Sequence, residues 1–233
     1  MTIADKITRA KTDYDEVYEA GKKAEYDAFW DAYQSYGQPK PYTNAFGSMW
    51  TTELFKPKYD IRPTSGYMMF HNNVGKAIVI DDFVEFCKDR GIVFDLSQCT
   101  ELMYGLGRLF TKRHGVLDFS ACRSAMYMFY SNYVIETIEE MIFSEITNFD
   151  ISAFADATNL ANINKASGIL AKSIHFQNSP LTKSSIKNIV NVLSPTVTGQ
   201  TVTFNKSAKE AAFTEDEWAE LTATKPNWTF QLA

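Results

Sequence analysis

Apolar and small residues recur in the N-terminal part of the chain at steps that alternate between four and three. These positions are Ile3, Ile7, Ala10, Tyr14, Val17, Gly21, Ala24 and Ala28. No proline interrupts residues 2–33, so the pattern predicts one long helix over this stretch. A repeat of about 3.5 residues is typical of a helix that packs against a partner helix in a coiled coil.

This helical seam has two interpretations. In the first, the helix joins copies of the chain into a dimer or trimer through Ile3, Ile7, Ala10, Tyr14, Val17 and Gly21. In the second, it is an amphipathic helix that packs on its own domain. Its glycine and alanines bury little area, and Lys6 and Lys11 flank the seam where they would repel in a parallel pair. We expect residues 1–36 to be an oligomerisation or anchoring helix that self-associates or docks on another protein.

Beyond this helix the hydrophobic pattern loses its helical period. Gly37, Pro39 and Pro41 end the helix. Residues 37–66 then contain aromatic residues scattered among polar ones. We expect this segment to be an aromatic-rich connector that caps the start of the next domain.

From about residue 67 the chain repeats itself with an offset of 23 residues. Residues 94–99 (Phe-Asp-Leu-Ser-Gln-Cys) correspond to residues 117–122 (Leu-Asp-Phe-Ser-Ala-Cys), and a Met-Tyr pair follows at the same distance in both copies. Degenerate copies lie at residues 65–70 and 141–154. Each copy offers a short alternating strand and a polar turn, and such a unit buries its apolar face only by stacking on neighbours. A period of about 20 to 29 residues is typical of leucine-rich repeats.

These patterns predict an α+β fold. The long, coiled-coil-like N-terminal helix is followed by a short, irregular leucine-rich-repeat β-solenoid over residues 67–177. Residues 178–233 are expected to form a C-terminal α/β cap. In this last part, residues 179–182 open an amphipathic helix that Ser194 and Pro195 close. Alternating strands are predicted at residues 201–204 and 228–230, and short helices at residues 208–213 and 215–222.

Charge and composition exclude several classes of function. The 233 residues carry a formal net charge of -5, whereas a nucleic-acid-binding protein normally shows a basic patch or stripe. No run of about 18 apolar residues is present to span a membrane. The N-terminus also lacks the basic head and apolar stretch of a secretory signal. We therefore expect no nucleic-acid partner, no membrane span and no export by the usual signal.

Three cysteines and three histidines are the residues most able to bind a metal. They are Cys87, Cys99, Cys122, His71, His114 and His175. The cysteines include no Cys-x-x-Cys pair, and the histidines lack the spacing of a zinc site. Cys99 and Cys122 share one slot of the repeat, so we expect both to be small buried residues. The histidines are expected at solvated positions or in turns, and no metal site is predicted.

Two pairs of adjacent carboxylates come nearest to the paired acids of a glycosidase. They are Asp81 with Asp82 and Glu139 with Glu140. Neighbouring residues on a strand point to opposite faces, so neither pair qualifies by itself. Asp95 and Asp118 recur at the repeat spacing, which favours a structural role. Residues 105–107 (Gly-Leu-Gly) lack the third glycine of a dinucleotide site. We predict no catalytic residue and no cofactor.

Five segments carry a family resemblance. They are residues 19–34, 55–61, 68–70, 93–99 and 179–182. Through them the chain resembles degenerate leucine-rich-repeat proteins of the BspA-like type, especially those encoded by phages and prophages of gut Gram-positive bacteria. The resemblance implies a virion structural protein of the fibre, tail or decoration type, or a surface-binding protein. A virion protein would be made in the host cytoplasm without a signal peptide and would contact other virion proteins.

The expected function is therefore that of a non-enzymatic virion protein that presents its repeat domain to a host-surface glycan or protein. Exposed tyrosines beside polar groups suit such contacts, and Tyr130 and Tyr133 are the candidate binding residues. Tyr104 and Tyr127 share a repeat slot and are explained equally well by packing between repeats. The alternatives are a bacterial cell-surface adhesin of leucine-rich-repeat type and, with less support, a wall-polysaccharide depolymerase.

Overall fold

The computed structural model describes residues 21, 23–24, 40–41, 57, 60–71 and 77–233. Four short helices lie within residues 77–233: α1 (Phe83–Asp89), α2 (Lys183–Val192), α3 (Lys206–Ala212) and α4 (Glu215–Ala223). Its strands are β1 (Lys40–Pro41), β2 (Pro63–Ser65), β3 (Ile78–Val79), β4 (Leu109–Phe110), β5 (Arg113–Asp118), β6 (Thr137–Phe143), β7 (Asn162–Gly168), β8 (Ile174–Phe176), β9 (Gln200–Phe204) and β10 (Trp228–Leu232). None of the helices in this described part is long and apolar enough to cross a membrane.

The strand pairings of the described residues are all parallel, and they form four separate small sheets. β1 pairs with β2, and β3 pairs with β4. The two larger sheets have the strand orders β5-β6-β7 and β10-β9-β8. Parallel neighbours require the chain to return to the same end of the sheet after each strand, and the turns and helices between the strands provide this return.

The predicted fold class is wrong. Residues 60–71 and 77–233 form a mixed α/β fold of four short helices and small parallel sheets, and these sheets do not close into a leucine-rich-repeat solenoid. Continuous pairing fails because some units contribute only a two-residue strand, such as β3. Others meet through a single bridge, such as that between Ile61 and Phe94. Helix α1 also interrupts the strands between β3 and β4.

The predicted oligomerisation seam lies mostly outside the described residues. Five of its six named positions are not among them: Ile3, Ile7, Ala10, Tyr14 and Val17. Gly21 is described, and it is helical and exposed. The coiled-coil-like helix and its self-association therefore stay predictions.

The 23-residue offset of the sequence is present in the structure as side-by-side packing. Glu101 forms a parallel bridge with Ser124, which bridges in turn to Asn148. Cys99 and Cys122 are fully buried, and each thiol donates to the carbonyl oxygen two residues further on, at 3.2 Å. The prediction that these two cysteines are small buried residues is confirmed.

One hydrophobic core extends through the successive units, over residues 61–228. A row of aromatic rings lies within it. The ring centroids are 5.1 Å apart between Phe119 and Phe149 and 4.6 Å apart between Phe154 and Phe176. A unit standing alone would leave its ring in water, so burial of this row couples the units to one another.

Asparagine side chains add hydrogen bonds between successive units. The Nδ2 of Asn159 donates to the carbonyl oxygen of Tyr133 at 2.7 Å, and that of Asn178 donates to Ala155 at 2.7 Å. These bonds satisfy backbone carbonyl groups at places where strand pairing does not reach them.

The secondary structure predicted for the C-terminal part is confirmed. Helix α2 follows Thr182, whose side chain accepts the N–H of Ser185. Helix α4 begins with a capping box formed by Thr214 and Glu217. Strands β9 and β10 occupy the two stretches that the alternating pattern indicated. The role of residues 178–233 as a separate cap stays a prediction.

Candidate functional site

Three turns that repeat along the chain each hold a residue in the left-handed backbone conformation. The φ angles are 51° at Met68, 55° at Tyr104 and 51° at Tyr127. In the second turn, the N–H of Gly105 donates to the carbonyl oxygen of Leu102 at 2.8 Å. Turns with a positive φ at the third residue favour glycine or asparagine there. Any other residue costs about 1 to 2 kcal/mol at such a position.

Hydrogen bonds from the next unit hold the two tyrosine turns in place. The N–H of Tyr104 donates to the carbonyl oxygen of Met126 at 3.2 Å. The N–H of Tyr127 donates to the carboxylate of Asp150 at 3.4 Å. Strained residues persist only where the surroundings hold them, and here each turn is held by the unit that follows it.

The side chains of these turns and their neighbours form the tyrosine cluster, which we define as Tyr67, His71, Tyr104, Tyr127 and Tyr130. The rings of Tyr104 and Tyr127 stack with centroids 4.9 Å apart and planes 10° from parallel. Tyr130 lies beside this stack, 5.5 Å from Tyr104 at 81° and 6.3 Å from Tyr127 at 72°. His71 is 5.5 Å from Tyr104 and 6.2 Å from Tyr130. The rings of His71, Tyr104, Tyr127 and Tyr130 therefore form one connected group.

The cluster lies at the surface, and its hydroxyl groups share one electrostatic environment. Tyr130 is 42% exposed, and Tyr104 and Tyr127 are half-buried. Desolvation is the main reason that the pKa of Tyr104 is raised above its ordinary value. The neighbouring groups whose charges raise it further are Tyr127, Tyr130, Tyr67 and Asp150. The pKa of Tyr104 therefore depends on the other tyrosines of the cluster and on Asp150.

Two carboxylates border the cluster on the side of the following unit. Asp150 accepts the N–H of Tyr127 through one oxygen and the hydroxyl of Ser152 through the other, at 2.5 Å. Asp156 accepts the N–H of Ser131, a residue whose φ is 61°. A carboxylate accepts hydrogen bonds, whereas a phenol hydroxyl both donates and accepts. The border therefore places carboxylates that accept hydrogen bonds next to tyrosine hydroxyl groups that both donate and accept them.

The backbone of Tyr130 and the residues after it is fixed by close packing. A Cβ atom at Gly107 would lie 2.5 Å from the Tyr130 carbonyl oxygen, so only glycine fits there. Asn132 is fully buried, and its Nδ2 donates to the carbonyl oxygens of Leu106 at 3.1 Å and Leu109 at 2.8 Å. In this structure Gly107 serves close packing between units.

Of the two tyrosines predicted as contact residues, the structure places one in the cluster. Tyr130 belongs to it, whereas Tyr133 packs its ring on Phe110 at 5.3 Å and is 57% exposed. Tyr104 and Tyr127, for which packing between repeats was an equal alternative, are half-buried and stack on each other across neighbouring units. A binding role for any of them stays a prediction.

The sequence patterns did not single out the other members of this site. Tyr67 lies in the earlier partial copy of the repeat at residues 65–70, where the match is short, and His71 follows that copy directly. Asp150 lies 23 residues after Tyr127. Extending the repeat offset by one more copy would therefore have found it.

Three of the four adjacent carboxylates named from the sequence, Asp82, Glu139 and Glu140, form ion pairs. Glu139 accepts from Arg113 Nε at 2.6 Å and from Asn164 Nδ2 at 3.1 Å. The hydrogen bond from Arg113 holds the pKa of Glu139 below its usual range. Glu140 pairs with Lys165 at 2.7 Å, and this contact lowers its pKa in the same way. Both groups favour their ionised form, which is typical of a structural ion pair.

Asp95 and Asp118 close equivalent turns. Each accepts the N–H of the serine two residues later, Asp95 from Ser97 at 2.9 Å and Asp118 from Ser120 at 2.8 Å. Aspartate is favoured in such turns for this reason. The structural role that the repeat spacing indicated is therefore confirmed for both.

The prediction for the histidines is wrong for His114. Its ring is buried, with centroids 5.2 Å from Phe83 and 5.5 Å from Phe94. It occupies an inward position of β5, in register with Ile138 of β6. Desolvation lowers the pKa of His114 to about 4. Among the residues that the structure describes, no group of three His, Cys, Asp or Glu side chains could hold a metal ion.

Compared with known protein families, with curated proteins and with solved structures, the chain matches none. The case for a function therefore depends on the tyrosine cluster and on the sequence. In the cluster, geometry, exposure and polar groups coincide, and this makes it the candidate site.

Proposed function

We propose that the chain is a non-enzymatic structural protein of a phage virion, in the fibre, the tail or a decoration, and that its tyrosine cluster contacts the host surface. The observation that carries the binding role is the stacking of Tyr104 and Tyr127 on turns held in the left-handed conformation. Repeated backbone strain is a reason to look for function, because it persists only where the structure enforces it.

Tyrosine suits a contact surface of this kind. Its ring offers a large apolar area, its hydroxyl offers a polar handle, and it has few rotatable bonds to restrict on binding. Tyr130 adds an exposed ring beside the stack, and Asp150 and Asp156 add hydrogen-bond acceptors at the border. The cluster thus combines apolar and polar contacts on a fixed backbone.

The ion pairs of the carboxylates weaken the alternative of a wall-polysaccharide depolymerase. A glycosidase needs one carboxyl group that stays protonated near neutral pH, facing a second across a cleft. The pKa values of Glu139 and Glu140 are shifted in the opposite direction by Arg113 and Lys165. These residues therefore suit a structural role better than proton donation.

The resemblance to phage-encoded proteins supports the virion part of the proposal. Residues 1–36 would attach the protein, either by forming a dimer or trimer or by docking on another virion protein. The solution mass of the full chain, compared with that of a chain lacking residues 1–36, tests the first mode. We expect the deletion to reduce an oligomer to a monomer. A monomer in both cases would overturn self-association.

Binding to intact host cells tests the role of the cluster. We expect labelled full-length protein to bind saturably and the Tyr130→Ala variant to bind about tenfold more weakly. Val116→Ala is the matched control, because Val116 is also 42% exposed but lies on β5. Equal binding by the wild type and a folded Tyr130→Ala variant would overturn the proposed contact.

The location of the protein distinguishes a virion protein from a bacterial surface adhesin. Antibody labelling in electron micrographs of purified particles should place the protein on the fibre, the tail or the capsid. Label that appears on uninfected bacteria and is missing from particles would overturn the virion assignment and favour the adhesin.

A further inference from the structure

The tyrosine cluster brings several phenol rings and one carboxylate close together. The rings of Tyr104 and Tyr127 stack 4.9 Å apart, Tyr130 lies 5.5 Å from Tyr104, and Asp150 accepts the N–H of Tyr127. Each phenol can donate one hydrogen bond and accept others, and the carboxylate accepts only. A ligand that satisfies these phenols and this carboxylate must offer several donors and acceptors within a small space. It must also have surfaces that can pack on aromatic rings.

We infer that the tyrosine cluster is a saccharide-binding site. This inference rests on the proposed function, since it takes the cluster as the contact surface and adds the chemical class of its ligand. The exposed ring of Tyr130 packs against the C–H face of a sugar ring. The hydroxyl groups of Tyr104 and Tyr127 and the carboxylate of Asp150 bond the sugar hydroxyl groups.

The stacking of two of the rings removes faces that a cationic ligand would use. A cation binds over the face of an aromatic ring. Tyr104 and Tyr127 cover one face of each other, because their planes are 10° from parallel and their centroids are 4.9 Å apart. Polar hydroxyl groups at the ring edges match a polyhydroxyl ligand better.

The fixed backbone lowers the entropic cost of binding. Tyr127 and Asp150 are joined by a backbone-to-carboxylate hydrogen bond, and Ser152 holds the second oxygen of Asp150. Gly107 packs against the carbonyl of Tyr130. Groups that are already held in place lose little further freedom when a ligand arrives. Because little freedom is lost, the site suits a ligand that makes only weak contacts, such as one unit of a surface polysaccharide.

Selective chemical treatment of host cells tests the ligand class. Periodate cleaves the vicinal diols of sugars, whereas protease removes surface proteins. We expect periodate treatment to abolish binding of the full-length protein and protease treatment to leave it unchanged. Purified host wall polysaccharide should then compete for binding, whereas tetramethylammonium chloride at matched ionic strength should not.

Three variants assign the roles of the side chains within the site. Tyr130→Ala should weaken binding to the immobilised wall polysaccharide about tenfold, and Asp150→Asn should weaken it by a similar factor. Tyr130→Phe keeps the ring and should retain most of the binding. Val116→Ala should bind like the wild type, and near-UV circular dichroism checks that each variant is folded.

The outcomes separate this inference from the proposed function. Binding that depends on Tyr130 but is lost with protease and kept after periodate would overturn the saccharide and indicate a protein ligand. Competition by tetramethylammonium alone would overturn it in favour of a cation. In both cases the cluster would still be the contact surface. Binding to host cells that does not depend on Tyr130 at all would overturn the proposed function together with the inference.

Discussion

The rings of Tyr104 and Tyr127 stack 4.9 Å apart although both residues hold positive φ angles, of 55° and 51°. Two residues at equivalent places of a repeat thus carry the same backbone strain and contact each other. The unit that follows each turn supplies the hydrogen bond that holds it. The same strained conformation recurs in both turns, and the two turns place their tyrosine rings where they stack.

Replacing Tyr127 by glycine and by alanine separates backbone strain from ring stacking. Both variants lose the ring, but only alanine keeps the cost of the left-handed conformation. We expect Tyr127→Gly to be more stable than Tyr127→Ala by about 1 kcal/mol, as measured by urea denaturation. The same pair at Tyr133, which is not among the residues with positive φ, should show the opposite order. An alanine variant at least as stable as the glycine variant at Tyr127 would contradict the turn geometry.

Gly107→Ala should displace Tyr130. The new Cβ would lie 2.5 Å from the Tyr130 carbonyl oxygen, so one of the two backbone segments must move. We expect a loss of about 1 to 3 kcal/mol in the free energy of unfolding, together with weaker binding to host cells. Gly115→Ala is the matched control, because its Cβ would meet its nearest neighbour at an ordinary 3.6 Å. Equal stability of the two variants would argue against the close approach.

The buried His114 predicts a loss of stability in acid. Desolvation lowers its pKa from 6.5 to about 4, so between these values the unfolded chain binds a proton that the folded chain does not. The stabilising contribution is complete above pH 6.5 and is lost as the pH falls toward about 4. The loss amounts to about 3 kcal/mol.

His114→Ile should flatten this pH dependence, since isoleucine occupies the neighbouring position 138 in the same register. Urea denaturation of both proteins at several values between the two limits measures the difference. Parallel loss of stability in the wild type and the variant would show that another group is responsible.

Asn132→Ala should destabilise the junction between two units. The side chain is fully buried and donates to the carbonyl oxygens of Leu106 and Leu109, so its removal leaves both carbonyl groups without these bonds. We expect a loss of about 2 to 3 kcal/mol. Asn159→Ala is the control, because Asn159 is exposed and its loss should cost less than about 1 kcal/mol. Thermal denaturation that ranks the two variants in the reverse order would contradict this account.

The sequence predicted which residues lie side by side in neighbouring units better than it predicted the fold. The 23-residue offset aligned Cys99 with Cys122 and Tyr104 with Tyr127, and the structure shows the first pair buried and the second stacked. A repeat offset indicates which residues stand side by side. It does not show whether their backbones exchange ladder hydrogen bonds, and here a turn with a left-handed residue replaces the extended backbone that a continuous sheet needs.

The sequence predicted only part of the candidate site, because it does not show how distant units contact each other. Tyr130 was named from its polar surroundings in the sequence, but its contacts with His71 and Tyr104 come from units far apart in the chain. The sequence predicts a solvated position or a turn for His114, because a single histidine does not reveal which face of a strand is inward. The inward position of His114 becomes visible only in the structure, where it is in register with Ile138.

The position of the host ligand on the protein is the most direct test of the central claim. Amide hydrogen exchange of the full chain, measured with and without isolated host envelope, maps the surface that becomes protected. The account predicts slower exchange in the three turns of the tyrosine cluster, at residues 66–71, 102–107 and 125–131, with β9 and β10 unchanged. Protection confined to β9, β10 or their neighbouring helices, with the three turns unchanged, would contradict it.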